Sequence, residues 1–386
     1  MSNMFKVILR EWRRLLSRPI YLFCIFIVPL VSAVMLTSLM GEGLPTEMPV
    51  GLVDMDNTAT TRNIARNLDA FQNSQITTRF ANVTEARHAM QRGEIYAFYY
   101  FPKGTTEKLL RQEPPKVSFY TNNTFLMAGS LLYKDMRTMS ELASGAATRS
   151  VLIAKGATND QAMAFLQPVA VDAHPIGNPS LNYNVYLSNI LIPGMLSLMI
   201  FFVTVFSIGQ EIKESHGRAM LVHTRGVAWQ ALYGKLIAQA ALFLPVAWAL
   251  GAYLYGYLHF PCHCSWFTMV GLLSLFVFAS QGMGVLMICA LPNPRFGLSF
   301  ASLWGVLSFS ICGMSFPAMA MHPMLHGVSY LFPLRHYYLL YVNCALDGWP
   351  LSSAWPFWGA LIGFALLPLL FSTRFKTIIT QIQYMP

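Results

Sequence analysis

The sequence predicts an α-helical membrane protein with six transmembrane helices and an extracytoplasmic α/β domain inserted between helices 1 and 2. Composition is the first indication: 55% of the residues are hydrophobic and 11% are charged, whereas about a quarter of the residues of a soluble domain carry charge. The second is a set of apolar stretches long enough to cross a bilayer. The third is their spacing, because a polar, charge-rich stretch over 41–185 separates the first from all the others.

The transmembrane helices are predicted from the length of the apolar windows. A hydrocarbon core of about 30 Å needs about 20 consecutive apolar residues in a helix. Lys235 is the only charged residue inside the windows, and it lies at the edge of one of them. The windows are 20–40, 186–209, 234–258, 266–291, 298–320 and 352–371.

The distribution of charge predicts the orientation. The formal net charge is +9, but residues 41–185 hold 13 Lys and Arg against 13 Asp and Glu, so the excess lies beside the apolar windows. Lys and Arg are enriched in cytoplasmic loops. We therefore expect both termini, the loop 210–233 and the tail 372–386 in the cytoplasm, and 41–185 and 321–351 outside. This positive-inside bias argues against a nucleic-acid partner.

Residues 1–19 predict a cytoplasmic interfacial helix. Apolar residues recur at helical spacing and basic residues occupy the remaining surface, which suits a helix with its apolar side in the lipid and its arginines toward the headgroups. A generic basic flank remains an alternative. A cleaved signal peptide is disfavoured, because the apolar stretch is long and no A-x-A site follows. The candidate interfacial residues are Arg10, Trp12, Arg13, Arg14 and Arg18.

The stretch 41–185 alternates strand-like and helical runs, which predicts a compact α/β domain with an attached long helix. Strands are predicted at 49–54, 75–80, 94–101 and 116–121. Helices are predicted at 58–71, 84–92, 105–112 and 124–155, followed by an extended segment at 166–185.

Two groups of residues could bind a metal ion. Asp54 and Asp56 have the spacing found in Ca²⁺ loops, but the sequence favours Asp56 or Asn57 as the cap of the next helix. His259, Cys262, His263 and Cys264 form the densest group of ligand types, although structural sites usually draw ligands from separated segments.

The cysteines leave a second alternative open. Cys-x-Cys is too short for an unstrained local disulfide, so a disulfide from Cys262 or Cys264 would reach to Cys344, which is also predicted outside. The other cysteines lie within apolar windows, which is typical of small apolar side chains: Cys24, Cys289 and Cys312.

The chain lacks the motifs of nucleotide hydrolysis. No G-x-x-x-x-G-K-[ST] occurs, because Gly234-Lys235 has the wrong neighbours, and no G-x-S-x-G is present. The windows contain no carboxylates, which disfavours a proton-coupled carrier. The chain is therefore expected to be no enzyme, and any transport would take its energy from another subunit.

Several segments, in order, resemble the type-2 ABC exporter permeases, in the branch with a large extracytoplasmic domain between transmembrane helices 1 and 2. The likeness extends over essentially the whole chain. Its segments are Arg18-Pro19, Val50 to Asp56, Ile95 to Pro102, Asn178 to Tyr183, Ile192-Pro193-Gly194, Gly313 to Pro323 and Leu331 to Tyr337. In the last two, the likeness falls on the family's short external segments between helices 5 and 6, with a re-entrant character expected for 321–351. The matching residues there are Pro317, Pro323, Pro333, Arg335 and His336.

The loop after helix 2 is similar to the family's coupling segment, a Glu-rich stretch that forms a short helix and docks on the ATPase. Gly226 stands where the family usually has Pro, and Arg218 and Met220 replace its usual Thr and Glu. A plain charged connector is the alternative. The matching residues are Glu211, Lys213, Glu214, His216, Gly217, Arg218 and Arg225.

The resemblance implies a permease subunit that exports an amphiphilic or hydrophobic substrate along a path between helices 1, 2 and 5. It implies a homodimer or a heterodimer with a related permease, cytoplasmic ABC ATPase subunits that bind ATP and Mg²⁺, a possible periplasmic adaptor and outer-membrane channel, and a bacterial inner membrane. No cofactor is expected in this chain.

Two other classes of function fit parts of the sequence. A membrane-anchored receptor or scaffold would use the external α/β domain to bind a ligand or partner, without dependence on an ATPase. A lipid- or glycan-modifying enzyme would need a polar catalytic cluster at the interface, for which His322, His326, Arg335 and His336 are the nearest candidates.

Overall fold

The computed structural model describes residues 3–381 apart from 112, 114, 168–173, 175–176 and 215–216. The chain divides into two compact units. The first comprises 1–43 and 175–386, and the second is Leu44–His174.

The first unit is a helical bundle. It begins with α1 (Asn3–Ser17). The next three elements form one continuous helix, Pro19–Leu39: α2 (Pro19–Leu22), a π-helical turn Phe23–Ile27 and α3 (Val28–Leu39). After the second unit come α9 (Tyr183–Lys213), α10 (Gly217–His223), α11 (Ala228–Gly251) with a π-helical end Ala252–Tyr257, and α12 (Trp266–Ala290). The remaining helices are α13 (Pro294–Ile311), α14 (Pro323–Ser329), α15 (Pro333–Tyr341) with a π-helical end Val342–Leu346, α16 (Trp355–Leu370) and α17 (Ser372–Gln381).

Five helices in the described part of the chain are long and apolar enough to cross a membrane, and they coincide with five of the six predicted windows. They are Pro19–Leu39, Tyr183–Lys213, Ala228–Tyr257, Trp266–Ala290 and Leu351–Leu370.

The predicted window 298–320 differs from the structure. The helix there is α13, which begins earlier, at Pro294, and ends at Ile311. Gly313 adopts φ +101°, a left-handed conformation that ends a helix, and Pro317 cannot donate a helical hydrogen bond. The helix has 18 residues, or about 27 Å at 1.5 Å per residue, and its first turn contains Arg295.

The core of the bundle lies between its longest helices, with α9 packed against α3, α12 and α13, and α12 against α11 and α16. The backbones of α12 and α16 approach closely at Gly282, where a Cβ atom would lie 1.9 Å from the carbonyl oxygen of Phe364 on α16. The segment 321–351 also joins this core: α15 packs on α9, α12 and α16. The predicted cytoplasmic tail contains a packed helix, α17, whose Phe375 and Ile378 are buried.

The second unit is built on a four-stranded sheet of order β2-β1-β3-β4. β1 pairs in parallel with β2 and β3, and β3 pairs antiparallel with β4. The strands lie close to the predicted positions: β1 (Met48–Asp54), β2 (Ser74–Arg79), β3 (Ala97–Phe101) and β4 (Ser118–Thr121). The helices are α4 (Ala59–Asp69), α5 (Val83–Gln91), α6 (Thr105–Leu110), α7 (Leu126–Ala154) and α8 (Asn159–Leu166).

Both faces of the sheet are covered, since Val50 and Leu52 contribute to a core with α4 and α7 while Val53 packs in a second core with Ala86 of α5. Strands buried on both faces are apolar throughout rather than alternating, as β1 is. The sequence did not predict α8. Of the segment 166–185 predicted as extended, 168–173 and 175–176 lie outside the described residues, and its last residues already belong to α9.

The cap of α4 was predicted wrongly. Thr58, and neither Asp56 nor Asn57, forms the N-cap, in a reciprocal capping box with Thr61. Asp56 instead accepts hydrogen bonds from the backbone of Gly104 (2.8 Å) and Thr106 (3.0 Å) at the start of α6. Burial disfavours the charged form of Asp56, but the hydrogen bonds from Thr106 and Gly104 outweigh it and lower the pKa. These contacts use the carboxylate to hold the segment after β1 against the start of α6.

Candidate functional site

A network of buried ion pairs joins α1 to the ends of α9 and α11. It begins with the packing of α1 on α11, where Val7, Glu11 and Leu15 are buried. These residues recur every four positions and therefore share one face of the helix. Gly234 of α11 allows the close approach, since a Cβ atom there would lie 3.1 Å from Val7.

Lys235 lies at the centre of the network. Its Nζ donates to Glu11 Oε2 at 2.6 Å and to Glu211 Oε1 at 3.2 Å. Lys235 and Glu211 are 0% exposed and Glu11 is 2% exposed. Glu11 also accepts hydrogen bonds from Ser207 and, at 3.4 Å, from Gln239. The charges are thus paired and hydrogen-bonded, as burial of an ion requires.

Arginines of α1 close the network on its outer side. Arg10 donates to Glu211 at 2.8 Å, and Arg14 donates to the same carboxylate at 2.5 Å. Arg14 also reaches Glu214 at 3.1 Å, and Arg18 donates to Glu214 at 2.9 Å. Because Glu211 lies in the last turn of α9, where the helix dipole disfavours a carboxylate, these cations stabilise a charge that the helix alone would not.

The network changes the interpretation of the coupling segment. Glu211 is not on the surface, because it is fully buried at the end of α9, and Glu214 is half-buried. Lys213 and Arg225 are exposed. Gly217 and Arg218 lie in the first turn of α10, and His216 lies outside the described residues. The predicted loop 210–233 is shorter, because α9 extends to Lys213 and α11 begins at Ala228.

The arginines of α1 were expected to face lipid headgroups, and the structure shows three of them bound to the two glutamates: Arg10, Arg14 and Arg18. Arg13 is exposed, and the Trp12 indole donates to the Ala238 carbonyl at 2.9 Å. The helix keeps an apolar stripe on its exposed side, at helical spacing, which suits a lipid interface. The stripe consists of Phe5, Leu9, Trp12 and Leu16.

Sequence reasoning named Glu211 but missed Glu11, Lys235, Ser207 and Gln239. Two signals could have found the central pair. Glu11 is the only acidic residue in 1–19, and Lys235 is the only charged residue inside an apolar window. Ionisable residues in such segments usually pair with one another.

A groove of about 810 Å³ opens beside the network, between the first long helix, α9 and α13. Its apolar wall includes Phe202 and Phe206 of α9 and Leu303 of α13. Tyr21 contributes a buried hydroxyl that has no hydrogen-bond partner among the residues described, and Ser302 adds another hydroxyl. An apolar groove with a few hydroxyl groups suits an apolar or amphiphilic molecule.

The residues predicted to lie in the external segment between helices 5 and 6 differ in their exposure. Pro317 and Pro323 are exposed, whereas Pro333, Arg335 and His336 are buried. Pro323 and Pro333 each stand at the first position of a helix, where the missing N–H group costs nothing.

The cysteines at 262, 264 and 344 are free thiols. The Sγ atoms of Cys262 and Cys264 lie 3.5 Å apart, and the hydrogen bond from Cys264 lowers the pKa of Cys262 to about 7. Within the described ranges, no cluster of three or more His, Cys, Asp or Glu residues could hold a metal ion.

Long apolar helices and a charge network at the end of their bundle define a multi-pass membrane protein. The chain matches the model of the ABC-2 family transporter proteins over residues 19–374. The chain therefore belongs to the ABC-2 transporter family, whose members are membrane subunits of ABC transporters. No curated protein gives a significant match to it.

Proposed function

We propose that this protein is the permease subunit of an ATP-driven exporter that moves an amphiphilic or hydrophobic substrate outward, using a separate cytoplasmic ATPase that binds ATP and Mg²⁺. Family membership supports the transporter class. The observation that carries the mechanism is the ion-pair network, because it links α1 and the ends of α9 and α11 to a segment that carries the exposed charges Lys213 and Arg225.

In this mechanism the network works as a rigid link. Closure of the ATPase moves the segment 213–225, and the pairs of Glu211 and Glu214 with Arg14 pass that movement to α1. Breaking a buried ion pair by removing one partner costs about 3–5 kcal/mol, so the elements move together rather than separate. The same movement shifts α9, which forms one wall of the groove beside Tyr21.

The topology belongs to the same proposal. Six spans, with α13 as the fifth, place the termini and the 210–233 segment in the cytoplasm and residues 44–174 outside. The protein acts as a homodimer or a heterodimer with a related permease in a bacterial inner membrane, and the second unit extends the export path or binds a periplasmic adaptor that leads to an outer-membrane channel.

Arg14→Gln tests the mechanism, with Arg13→Gln as the matched control. Both variants remove one arginine from the same helix, but Arg14 bridges Glu211 and Glu214 whereas Arg13 is exposed. In the complex purified with its ATPase, Arg14→Gln is expected to lower substrate-stimulated ATP hydrolysis several-fold, and Glu214→Gln is expected to do the same. Basal hydrolysis and the Arg13→Gln variant should stay near wild type.

Two results would refute the proposal. One is purification in mild detergent without any ATPase. The other is coupling that is unchanged in Arg14→Gln, in Glu214→Gln and in the double replacement of Glu211 and Glu214 by alanine.

A receptor or scaffold is the second candidate, and one observation favours it. The second unit has a groove of about 930 Å³ between α4 and α7, lined by small and apolar residues such as Ile64, Ala143 and Ala147. A ligand that binds this groove with equal affinity whether or not the ATPase turns over would support the receptor.

A further inference from the structure

Arg335 is a buried cation without a carboxylate partner in the part of the chain that the structure describes. Its side chain is 3% exposed. One nitrogen, Nη2, lies 3.2 Å from His326 Nε2, and the guanidinium stacks 4.0 Å from the centre of the Tyr330 ring. The other two nitrogens, Nε and Nη1, have no hydrogen-bond partner among the described residues. An unpaired buried charge is costly and marks a functional site in a membrane protein.

The position of Arg335 in its helix also favours an anion beside it. It is the third residue of α15, whose first turn has no acidic residue and whose N-cap, Phe332, provides no side-chain cap. The N-terminus of a helix carries a partial positive charge, although in α15 Pro333 has no N–H group and the Arg335 N–H already donates to the Phe332 carbonyl at 3.1 Å. A cation in this turn is therefore unfavourable by itself, whereas an anion there would meet both the guanidinium and the helix.

The surroundings of Arg335 indicate the rest of the ligand. Burial lowers the pKa of His336, which is held by a hydrogen bond from Nε2 to the Tyr330 carbonyl, and so favours the neutral form of that imidazole. Apolar side chains on and after α14 are exposed: Met324, Leu325 and Leu331. A buried cation beside an exposed apolar surface is complementary to an anion with an apolar tail.

We propose that Arg335 and the first turn of α15 bind the phosphate or carboxylate headgroup of an anionic amphiphile, whose apolar part lies along the exposed side chains of α14. The planar fork of arginine suits both headgroups because it can donate two parallel hydrogen bonds. This site would define the substrate class of the proposed exporter. Binding of the amphiphile does not depend on the proposed function, whereas its transport does.

The test is binding to the full chain, purified alone in a neutral detergent and titrated by native mass spectrometry. The probes are dioctanoyl phosphatidylglycerol, dioctanoyl phosphatidylcholine of equal chain length, and inorganic phosphate. Wild type is expected to prefer the anionic lipid over the zwitterionic one by about tenfold, the size expected for hydrogen bonds to a charged group. Inorganic phosphate should bind much more weakly.

Arg335→Gln is expected to abolish this preference, and Arg335→Lys to reduce it, because lysine keeps the charge without the fork. Arg295→Gln is the matched control, since Arg295 also lies in the first turn of a helix that begins with proline but is exposed. It should keep the wild-type preference. If Arg335→Gln does not fold, the Arg335→Lys titration decides alone.

Three results would overturn the inference: an unchanged preference in the Arg335 variants, inorganic phosphate binding as tightly as the lipid, or an Arg335 variant that changes only the oligomeric state, which would assign the site to a second copy of the chain. Because no ATPase is present, a failure here leaves ATPase coupling untouched, and lost coupling with intact lipid binding refutes only the transport mechanism.

Discussion

Lys235 is the cation that allows two neighbouring carboxylates to be buried. It satisfies two buried carboxylates, Glu11 of α1 and Glu211 of α9. The pair of Lys235 with Glu11 joins residues 224 positions apart in the chain. Each charge is tolerated in the interior only because the others are there.

Lys235→Met should therefore destabilise the protein by about 3–5 kcal/mol, since it leaves Glu11 without its cation. The double variant Glu11→Gln/Lys235→Met removes both charges and should recover part of that loss. Thermal unfolding in detergent measures both. The control is the single variant Glu11→Gln. If the loss of stability in the double variant equals the sum of the losses in Lys235→Met and Glu11→Gln, the two residues do not interact.

Asp135 is a third buried carboxylate, and its one hydrogen-bond partner is an uncharged side chain. It accepts one hydrogen bond, from Asn73 at 3.3 Å, while Oδ2 has no partner among the described residues. Burial raises its pKa. A raised pKa in the folded state means that the contribution of Asp135 to stability is lost as pH rises through that value.

Asp135→Asn should therefore stabilise the second unit at pH 7, by about 1 kcal/mol, because it removes a buried charge. The advantage should shrink as pH falls, because acid protonates wild-type Asp135 in the folded state before it protonates the unfolded chain. Unfolding of the full chain, followed at several pH values, checks the sign. An advantage that grows on acidification would contradict it.

At the scale of elements, the contact of α12 with α16 depends on a residue without a side chain. Gly282 lies where a Cβ atom would meet the backbone of Phe364 rather than a flexible side chain. Backbone cannot give way without moving the whole helix. Gly271, on the same helix, has no atom within 4 Å of the corresponding position.

Gly282→Ala is expected to cost about 1–3 kcal/mol, because the helices must separate. Gly271→Ala is the control and should be neutral or slightly stabilising, since alanine favours a helix. The melting temperatures of the two variants in detergent make the comparison. Equal melting temperatures would mean that α12 and α16 are not in this contact.

At the scale of the whole molecule, the proposed topology places two exposed sites on opposite sides of the membrane. Lys103 lies in the second unit and Arg225 lies between α10 and α11, and both are exposed. The positive-inside bias assigns Arg225 to the cytoplasm. One proposed span, α9, separates the two sites in the chain, so opposite sides require that α9 crosses the membrane.

Single cysteines at these two sites test the topology in a chain whose six native cysteines are replaced. A membrane-impermeant maleimide should label Lys103→Cys in intact cells and Arg225→Cys only in inverted vesicles. Labelling of both sites from one side would mean that α9, the one proposed span between them, does not cross the membrane, and would refute the proposed topology.

The sequence by itself determined the class of protein and the positions of most of its elements. Long apolar windows and alternating strand and helix patterns are local signals, so they located five long helices and all four strands to within a few residues. It misjudged the ends of α13 and the cap of α4, where single turns decide the outcome.

Only the tertiary structure decided what the charges do. Sequence placed Glu211 on a docking surface and Arg14 among lipid headgroups, but folding brings them together with Glu11 and Lys235 in a buried network. Likewise, Arg335 became a candidate anion site only because packing buries it with no carboxylate partner among the described residues. Pairing and burial of charges depend on contacts between segments far apart in the chain, and no local pattern of residues specifies them.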